Sequence, residues 1–361
     1  MNKENTIGNE NKDNIIRKKI TEEIKEEIKE ETKNTEQMTA QQGENLGRIS
    51  EVQKDSFKIR FSETEIPAKL KGSFYGKDAE KLPVVGDYVT FAYNPAGDSL
   101  ILSVLERSSF LQRPDQAKTG VMQYMVANVD YTFIVTALNG DYSYNRIARY
   151  VSIALDGGSV PVVVLTKSDL CTNPGRYVRE VATISENLRV HAVSAVYGIG
   201  LDELQDCFMP GRTICLLGSS GAGKSTLINA IAGREIMKTG GIREEDSKGR
   251  HTTTHRQMIT LDNGVCIIDT PGMREVGIAG NDRGIGETFS DILELESRCR
   301  FSDCRHETEP GCAVKAALAD GTLSRERFEL YKSLENENER NYAKKKTISK
   351  WAKQRKKEGL L

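Results

Sequence analysis

A glycine-rich segment in the second half of the chain has the spacing of a phosphate-binding loop. It follows an apolar run, precedes a helical stretch and matches the pattern G-x-x-x-x-G-K-[ST] in Gly218-Ser219-Ser220-Gly221-Ala222-Gly223-Lys224-Ser225-Thr226. Glycines in this pattern let backbone N–H groups surround phosphate oxygens at a helix N-terminus, where the helix dipole also favours negative charge. The segment therefore predicts a nucleotide site in which Lys224 acts on the β- and γ-phosphates and the Ser225 hydroxyl binds Mg²⁺.

Two segments after this loop complete the predicted phosphate and magnesium site. The box Asp269-Thr270-Pro271-Gly272 follows an apolar strand, so we expect Asp269 to hold Mg²⁺ through water and the Gly272 amide to contact the γ-phosphate. Between the loop and this box lies a polar stretch, 249–255, which is typical of a switch loop. Thr253, within a run of three threonines, is the predicted Mg²⁺ ligand, although either neighbour in the run remains open.

The group that activates the attacking water is predicted to lie in the same stretch. Met273 stands where many GTPases have a glutamine that orients this water. A methionine side chain cannot orient water, so we expect slow hydrolysis unless another group or a large partner completes the site. His251 is the predicted catalytic group, alongside Lys224.

Two further boxes predict which base is bound. Thr166-Lys167-Ser168-Asp169 follows an apolar strand and resembles the guanine-recognition pattern [NT]-K-x-D. The Asp169 carboxylate can accept hydrogen bonds from both N1 and N2 of guanine, a pairing that adenine does not offer. Ser194-Ala195, after a second short run, resembles the box whose backbone contacts the guanine O6. Together with the phosphate loop, these boxes predict GTP rather than ATP.

The boxes occur in an unusual order, because the guanine boxes precede the phosphate loop along the chain. In a parallel sheet, the loops at the carboxyl ends of the strands meet at one edge whatever their connections, so either order can build one site. Apolar runs alternate with helical stretches between about 121 and 284. This alternation predicts an α/β domain with a parallel sheet buried on both faces. The predicted central domain is a circularly permuted P-loop GTPase domain.

Three cysteines and one histidine cluster near the C-terminus. They have the spacing C-x4-C-x-H-x5-C and are Cys299, Cys304, His306 and Cys312. Four such ligands within one short stretch predict a closed, tetrahedral, structural Zn²⁺ site rather than a catalytic one. The alternative is three ordinary cysteines beside a surface histidine. The other cysteines are scattered, which is typical of buried thiols.

The chain divides into four parts. Residues 1–42 are densely charged and almost without aromatic side chains, which predicts a disordered extension, although isoleucines at every fourth position would also suit an amphipathic helix. Residues 43–113 contain short strand-like runs punctuated by glycines, which predicts a five-stranded β-barrel of the OB-fold type. Residues 114–285 form the predicted GTPase domain. Residues 286–361 are predicted to be a mainly helical zinc-binding domain with a basic tail.

Taken with the predicted GTPase and zinc modules, the charge distribution favours an RNA partner, whereas the basic stretch alone would suit a solvated helix end. The net charge of the 361 residues is only -1, but lysines and arginines concentrate in 340–357. Such a stretch can lie along nucleic-acid phosphates. The barrel face could bind RNA or serve only for docking, and composition does not separate the two. No apolar run of about twenty residues and no signal peptide are present, so we expect a cytoplasmic, monomeric protein without a membrane partner.

The combination of permuted boxes, the threonine-rich segment and the cysteine cluster resembles the ribosome small subunit-dependent GTPase A family (RsgA, also called YjeQ), from about Gly43 onwards. The resemblance implies an OB-fold, a permuted GTPase domain and a zinc domain. It further implies hydrolysis of GTP to GDP and phosphate in late maturation of the 30S subunit, with binding to 16S rRNA and stimulation by the subunit. It also marks His251 as catalytic. The extension before Gly43 has no counterpart in this pattern.

Two other kinds of protein fit this sequence less well. An RNA-binding or scaffolding protein with a decayed nucleotide site would not be expected to keep Lys224, Asp169 and Asp269 together. An ATP-driven RNA remodelling enzyme would bind ATP in competition with GTP, and Asp169 would not select the base.

Overall fold

The computed structural model describes residues 44–53, 56–74, 82–114, 122–238, 256–270, 278 and 280–357. Several predicted features lie outside these ranges. They are the charged extension 1–42, the predicted switch loop with His251 and Thr253, and the residues Gly272 and Met273.

Five strands near the N-terminus close into a small barrel. They are β1 (Asn45–Val52), β2 (Phe57–Phe61), β3 (Thr64–Leu70), β4 (Tyr88–Ala92) and β5 (Ser99–Val104). β1 pairs with both β2 and β4, and β3 pairs with β5, so the order β1-β2-β3-β5-β4 returns to β1. Successive side chains of a strand point to opposite faces, and Ile49, Ile59 and Phe91 fill the interior without exposure to solvent. The predicted five-stranded barrel is confirmed.

The α/β region contains a sheet with the strand order β10-β9-β8-β11-β13-β12. Its strands are β8 (Tyr131–Ala137), β9 (Val160–Thr166), β10 (Arg189–Ala192), β11 (Thr213–Leu217), β12 (Arg256–Thr260) and β13 (Cys266–Asp269). All neighbouring strands are parallel except β12, which runs antiparallel to β13. The predicted parallel sheet is confirmed. No apolar run indicates β12, because its sequence, RQMIT, is largely polar.

Three helices of this region each follow a strand of the sheet. They are α1 (Tyr144–Asp156) after β8, α2 (Pro174–Ala182) after β9 and α3 (Lys224–Ala232) after β11. The Ser143 side chain caps α1, and the Asn173 side chain caps α2. Gly233 ends α3 in the left-handed conformation that glycine adopts at low cost. The loops after β9 and β11 carry the [NT]-K-x-D box and the phosphate loop.

The barrel and the α/β sheet are continuous through one antiparallel strand pair. β1 pairs with β12, with Val52 opposite Arg256, so that a single sheet of eleven strands results. A separate hairpin of β6 (Phe110–Pro114) and β7 (Met122–Ala127) lies between the two parts along the chain. The predicted domain limit between residues 113 and 114 falls inside β6.

The C-terminal part is helical, as predicted. Its helices are α4 (Asp282–Thr288), α5 (Ser290–Ser297), α6 (Ala313–Asp320) and α7 (Arg325–Lys357). α7 packs against α4 and α5 through the buried side chains of Tyr331, Phe289 and Ile292. Among the residues that the structure describes, no helix combines the length and the apolar character needed to cross a membrane.

A buried ion pair ties the barrel to the hairpin. Arg107, after β5, donates to both carboxylate oxygens of Asp87 at 2.7 Å, and its guanidinium lies 4.5 Å from the centre of the Tyr124 ring of β7. The Asp87 side chain has no exposed surface. A charge in such a position is stable only while its partner remains.

We expect Arg107→Ala to lower the free energy of unfolding by about 3–5 kcal/mol, because it leaves the Asp87 carboxylate buried and unpaired. Urea denaturation followed by circular dichroism measures the change. Arg234→Ala is the matched control, since it removes an exposed ion pair with Asp262 that should contribute about 0–1 kcal/mol. Equal denaturation midpoints for the two variants would contradict the prediction.

Candidate functional site

The phosphate loop connects the end of β11 to the start of α3. Gly218 and Gly223 have positive φ angles, of 149° and 93°. A Cβ atom on Gly218 would lie 2.2 Å from the carbonyl oxygen of Val135, so this position requires glycine. Lys224 Nζ donates to the carbonyl oxygens of Gly218 and Ser219 at 2.8 and 2.9 Å. These bonds hold the Lys224 ammonium group against the loop.

The [NT]-K-x-D box lies directly against this loop. Thr166 Oγ1 donates to the carbonyl oxygen of Ala222 at 2.5 Å, and Lys167 Nζ donates to that of Gly221 at 2.9 Å. The backbone of Lys167 adopts the left-handed conformation, with a φ angle of 56°, and this turns the chain at the end of β9. The permuted order therefore still brings the base-reading box and the phosphate loop into contact.

The two guanine boxes follow the neighbouring parallel strands β9 and β10. The Ser168 N–H donates to the Val193 carbonyl oxygen at 3.1 Å, which joins the two boxes, and Asp169 is exposed beside this bond. Ser194 is buried, and its hydroxyl has no hydrogen-bond partner within the described part of the chain. A buried hydroxyl is costly to leave unpaired, so this edge of the sheet suits a polar ligand. Ala195, the next residue, is half-buried.

Large apolar side chains near this edge were missed by motif analysis. They are exposed by 56–75% and are Leu170, Val196, Tyr197 and Ile199. Leu170 directly follows the first guanine box, and Val196 directly follows the second. Apolar side chains on two adjoining loops can cover the faces of a planar base. The positions of Leu170 and Val196 immediately after the two boxes were the available sequence signal.

The predicted magnesium side of the site lies on the adjacent strand. Asp269 ends β13 opposite Leu216 of β11, and Thr270 Oγ1 donates to the Leu216 carbonyl oxygen at 2.7 Å. Ser225 and Thr226 lie in the first turn of α3. An oxygen-rich site with few protein ligands is what Mg²⁺ prefers beside nucleotide phosphates, and Asp269 and Ser225 suit it. Thr253, the other predicted ligand, lies outside the described residues.

A carboxylate that no motif indicates also contacts the phosphate loop. The residue is Asp141, which follows β8. Both of its carboxylate oxygens accept from Ser219 Oγ at 2.9 Å, and it forms an ion pair with Arg146 of α1 at 2.9 Å. β8 is the neighbour of β11 in the sheet, so the loop after β8 reaches the phosphate loop. The contact joins residues 78 positions apart, and no local pattern signals it.

The four predicted metal ligands come together. One ligand atom from each of Cys299, Cys304, His306 and Cys312 lies within 4.8 Å of all the others. Cys299 Sγ is 3.8 Å from Cys312 Sγ, and Cys312 Sγ is 3.3 Å from His306 Nδ1. Zn–S bonds of about 2.3 Å in a tetrahedron require sulfur atoms about 3.8 Å apart. The donor set and its spacing therefore fit a closed metal site.

Glu296 orients the histidine of this cluster. Its Oε1 atom lies 2.9 Å from His306 Nε2, which leaves Nδ1 to face the cysteine sulfurs. A carboxylate on the outer nitrogen is the usual partner of a metal-bound imidazole. Glu296 Oε2 also accepts a hydrogen bond from Tyr331 of α7 at 3.3 Å. Sequence reasoning missed Glu296, because a single glutamate in a helix has no distinguishing pattern.

The strand order, the phosphate loop and the guanine boxes define a P-loop GTP hydrolase whose boxes run in circularly permuted order. The profile of the family described as RsgA GTPase matches residues 104–279. Small ribosomal subunit biogenesis GTPase RsgA 2 from Listeria monocytogenes is 44% identical over 292 residues, which is 81% of this chain and 83% of the relative. A Methanosarcina acetivorans relative, Small ribosomal subunit biogenesis GTPase RsgA, is 40% identical and covers 81% and 79%.

Two solved structures are similar over most of the chain. YjeQ from Thermotoga maritima has a TM-score of 0.58 and 29% identity, covering 81% of this chain and 97% of its own. YloQ, described as a circularly permuted GTPase, has a TM-score of 0.56 and 25% identity, covering 81% and 96%. The chain belongs to the RsgA GTPase family.

Proposed function

We propose that the protein hydrolyses GTP as a biogenesis factor of the small ribosomal subunit, that it binds 16S rRNA, and that the subunit stimulates its hydrolysis. The relatives compared above carry the name small ribosomal subunit biogenesis GTPase. The observation that carries the proposal is the contact of Lys167 and Thr166 with the phosphate loop. Through this contact, one site can read both the base and the phosphates.

Each part of the site has an assigned role in this proposal. The loop 218–226 binds the phosphates, and Lys224 neutralises charge that develops on the transferred phosphoryl group. Asp169 reads the guanine, while Ser225, Thr253 and Asp269 hold Mg²⁺. When bound, Mg²⁺ lowers the cost of negative charge on the β- and γ-phosphate oxygens. The Gly272 amide contacts the γ-phosphate, and His251 orients the attacking water.

If Asp169 selects guanine, the Asp169→Asn variant should change its preference from guanine to xanthine nucleotides. The variant should bind GTP about 100-fold more weakly, because it loses a charged acceptor for the N1 and N2 protons of guanine. It should gain affinity for xanthosine triphosphate, since an amide can donate to the O2 atom of xanthine and accept from N1. Equilibrium titration with fluorescent nucleotides measures both changes.

Asp202→Asn is the control for this substitution. Asp202 is an exposed carboxylate that follows the second guanine box, and its loss should leave both affinities unchanged. Asp169 would not be the base-reading residue if both variants lost GTP affinity equally, or if Asp169→Asn gained no affinity for xanthosine triphosphate.

The C-terminal part is assigned to RNA contact. α7 continues to Lys357, and basic residues dominate its last turns. Basic side chains that lie near phosphates release counterions, so the affinity should fall steeply as salt rises. We infer that the cluster of Cys299, Cys304, His306 and Cys312 holds one structural Zn²⁺, which orders this part of the chain. A ribosomal partner also places the protein in the cytoplasm.

The proposed function is tested by GTP hydrolysis with and without purified small ribosomal subunits, using zinc-replete protein and ATP as the control nucleotide. We expect subunits to raise the rate with GTP and to leave ATP unhydrolysed. Equal rates with and without subunits would overturn the ribosomal part of the proposal. Equal hydrolysis of ATP would overturn the assignment of base selection.

A further inference from the structure

Two side chains of α7 hold the backbone of Ile278 from both sides. The Ile278 N–H donates to Glu337 Oε1 at 2.9 Å, and Asn341 Nδ2 donates to the Ile278 carbonyl oxygen at 2.7 Å. Glu337 and Asn341 are four positions apart, so they lie on the same face of the helix. The side chain of Ile278 is buried. We call Ile278, Glu337 and Asn341 the backbone clamp.

The clamp is attached to the GTPase region by further polar contacts. Arg149 of α1 forms an ion pair with Glu337 at 2.8 Å. Beside it, Asn338 Oδ1 accepts from the Asn281 N–H at 2.9 Å, and both asparagines are buried. At Ile278 and Asn281, the side chains of α7 bind backbone groups. These contacts therefore depend on the path of the main chain and not on which side chains it carries there.

The clamp lies between the two regions that the proposed function must connect. Ile278 follows, along the chain, the box that begins at Asp269. Asn341 lies at the start of the basic stretch 340–357, through which the same helix continues to Lys357. A helix rises 1.5 Å per residue, so this portion of α7 extends about 25 Å from the clamp. The same helix therefore joins the clamp to the basic end of the chain.

We propose that Glu337 and Asn341 are positioning residues which couple the binding of α7 to small-subunit RNA with hydrolysis at the GTP site, through the backbone of Ile278. This inference rests on the proposed function. A contact couples two sites only when its strength differs between two states of the protein. The clamp must therefore be tighter with one nucleotide than with the other. By reciprocity, the bound nucleotide must change the affinity of the protein for the subunit.

Asn341→Asp tests the clamp with almost no change of side-chain shape. The substitution replaces the donor to the Ile278 carbonyl by a carboxylate oxygen, which repels that carbonyl. Asn336→Asp is the matched control, because Asn336 is an exposed asparagine on the same helix and the charge change is identical. Hydrolysis of GTP is measured for both variants without subunits and at saturating concentrations of purified small subunits, so that weaker binding of the subunit does not count as weaker stimulation. Amide hydrogen exchange at Ile278 is measured without subunits, in GDP and in a non-hydrolysable GTP analogue.

In Asn341→Asp, we expect the stimulation by subunits to fall about fivefold or more, while the rate without subunits stays within about twofold. Exchange at Ile278 should differ between the two nucleotides in the unaltered protein and in Asn336→Asp, and this difference should disappear in Asn341→Asp. Equal stimulation of both variants would overturn the proposed coupling through the clamp. So would parallel loss of the basal and stimulated rates, which indicates a structural role only.

The experiment distinguishes a wrong assignment of the clamp from a wrong assignment of the function. If subunits do not stimulate the unaltered protein, the proposed function is overturned and the inference falls with it. If they stimulate it and Asn341→Asp is stimulated equally, only the clamp is overturned. Identical exchange at Ile278 in GDP and in the analogue also overturns the clamp, whatever the subunits do.

Discussion

Lys224→Ala is expected to lower the rate of GTP hydrolysis by about 100- to 1000-fold, because one preorganised donor at developing charge contributes about 3–4 kcal/mol to transition-state stability. Lys224 Nζ is already held by two carbonyl oxygens of the phosphate loop, those of Gly218 and Ser219. The ammonium group therefore needs little rearrangement to meet the phosphates. Single-turnover hydrolysis at saturating GTP measures the change in the chemical step.

The fold of this variant should persist, because the shape of the loop depends on its glycines. Gly218 and Gly223 have positive φ angles, which glycine adopts without strain and without help from a neighbouring side chain. Lys69→Ala, which removes an exposed lysine of β3 in the barrel, is the control for loss of one positive charge and should hydrolyse GTP normally. If Lys224→Ala and Lys69→Ala hydrolysed GTP at equal rates, the assigned role of Lys224 would be wrong.

Much of the architecture could be predicted because the signals are local. Apolar runs marked β8, β9, β11 and β13, and the runs of β9, β11 and β13 were each followed by a recognisable box. The rule that loops at the carboxyl ends of parallel strands share one edge then placed the boxes together. The bond from Lys167 to Gly221 bridges 54 positions and agrees with that placement. The roles of the individual residues in binding and catalysis stay predictions.

The features that could not be predicted are contacts between residues far apart in sequence. Asp141 meets Ser219, and Glu337 meets Ile278 across 59 positions, in each case without a surrounding motif. The pairing of β1 with β12 was missed for a related reason, since β12 is short and largely polar. Such contacts depend on how the barrel, the sheet and α7 are arranged in space, and periodicity within one segment carries no information about that arrangement.

The permuted order has a physical consequence for the C-terminal part. Among the described residues, β12 and β13 are the last strands of the sheet, and the helices α4 to α7 come after them along the chain. The box beginning at Asp269 is thereby connected in sequence to α4, which packs on α1. With the other order of boxes, the guanine-binding strands would follow β13 instead. Permutation thus shortens the covalent path between the γ-phosphate side of the site and α7.

Removal of zinc is expected to unfold the segment from Cys299 to Cys312 and to loosen α6. Binding of Zn²⁺ to such ligand sets contributes about 10–16 kcal/mol at pH 7, and this free energy becomes folding free energy where the apolar core is small. Cys312 is also the N-cap of α6, since its Sγ atom accepts from the Lys315 N–H at 3.4 Å. Cys312→Ser should therefore lose bound zinc and helical signal together, as measured by metal analysis and circular dichroism.

Cys171→Ser is the matched control, because Cys171 is a half-buried cysteine that lies outside the cluster. This variant should keep one zinc per chain and a normal helical signal. GDP affinity should remain near normal in Cys312→Ser, since the bonds that assemble the phosphate loop and the Thr166 box involve none of the four metal ligands. If Cys312→Ser retained zinc at the same stoichiometry and affinity, the cluster would not be the metal site. If GDP affinity fell with the loss of zinc, the C-terminal part would be needed to form the nucleotide site itself.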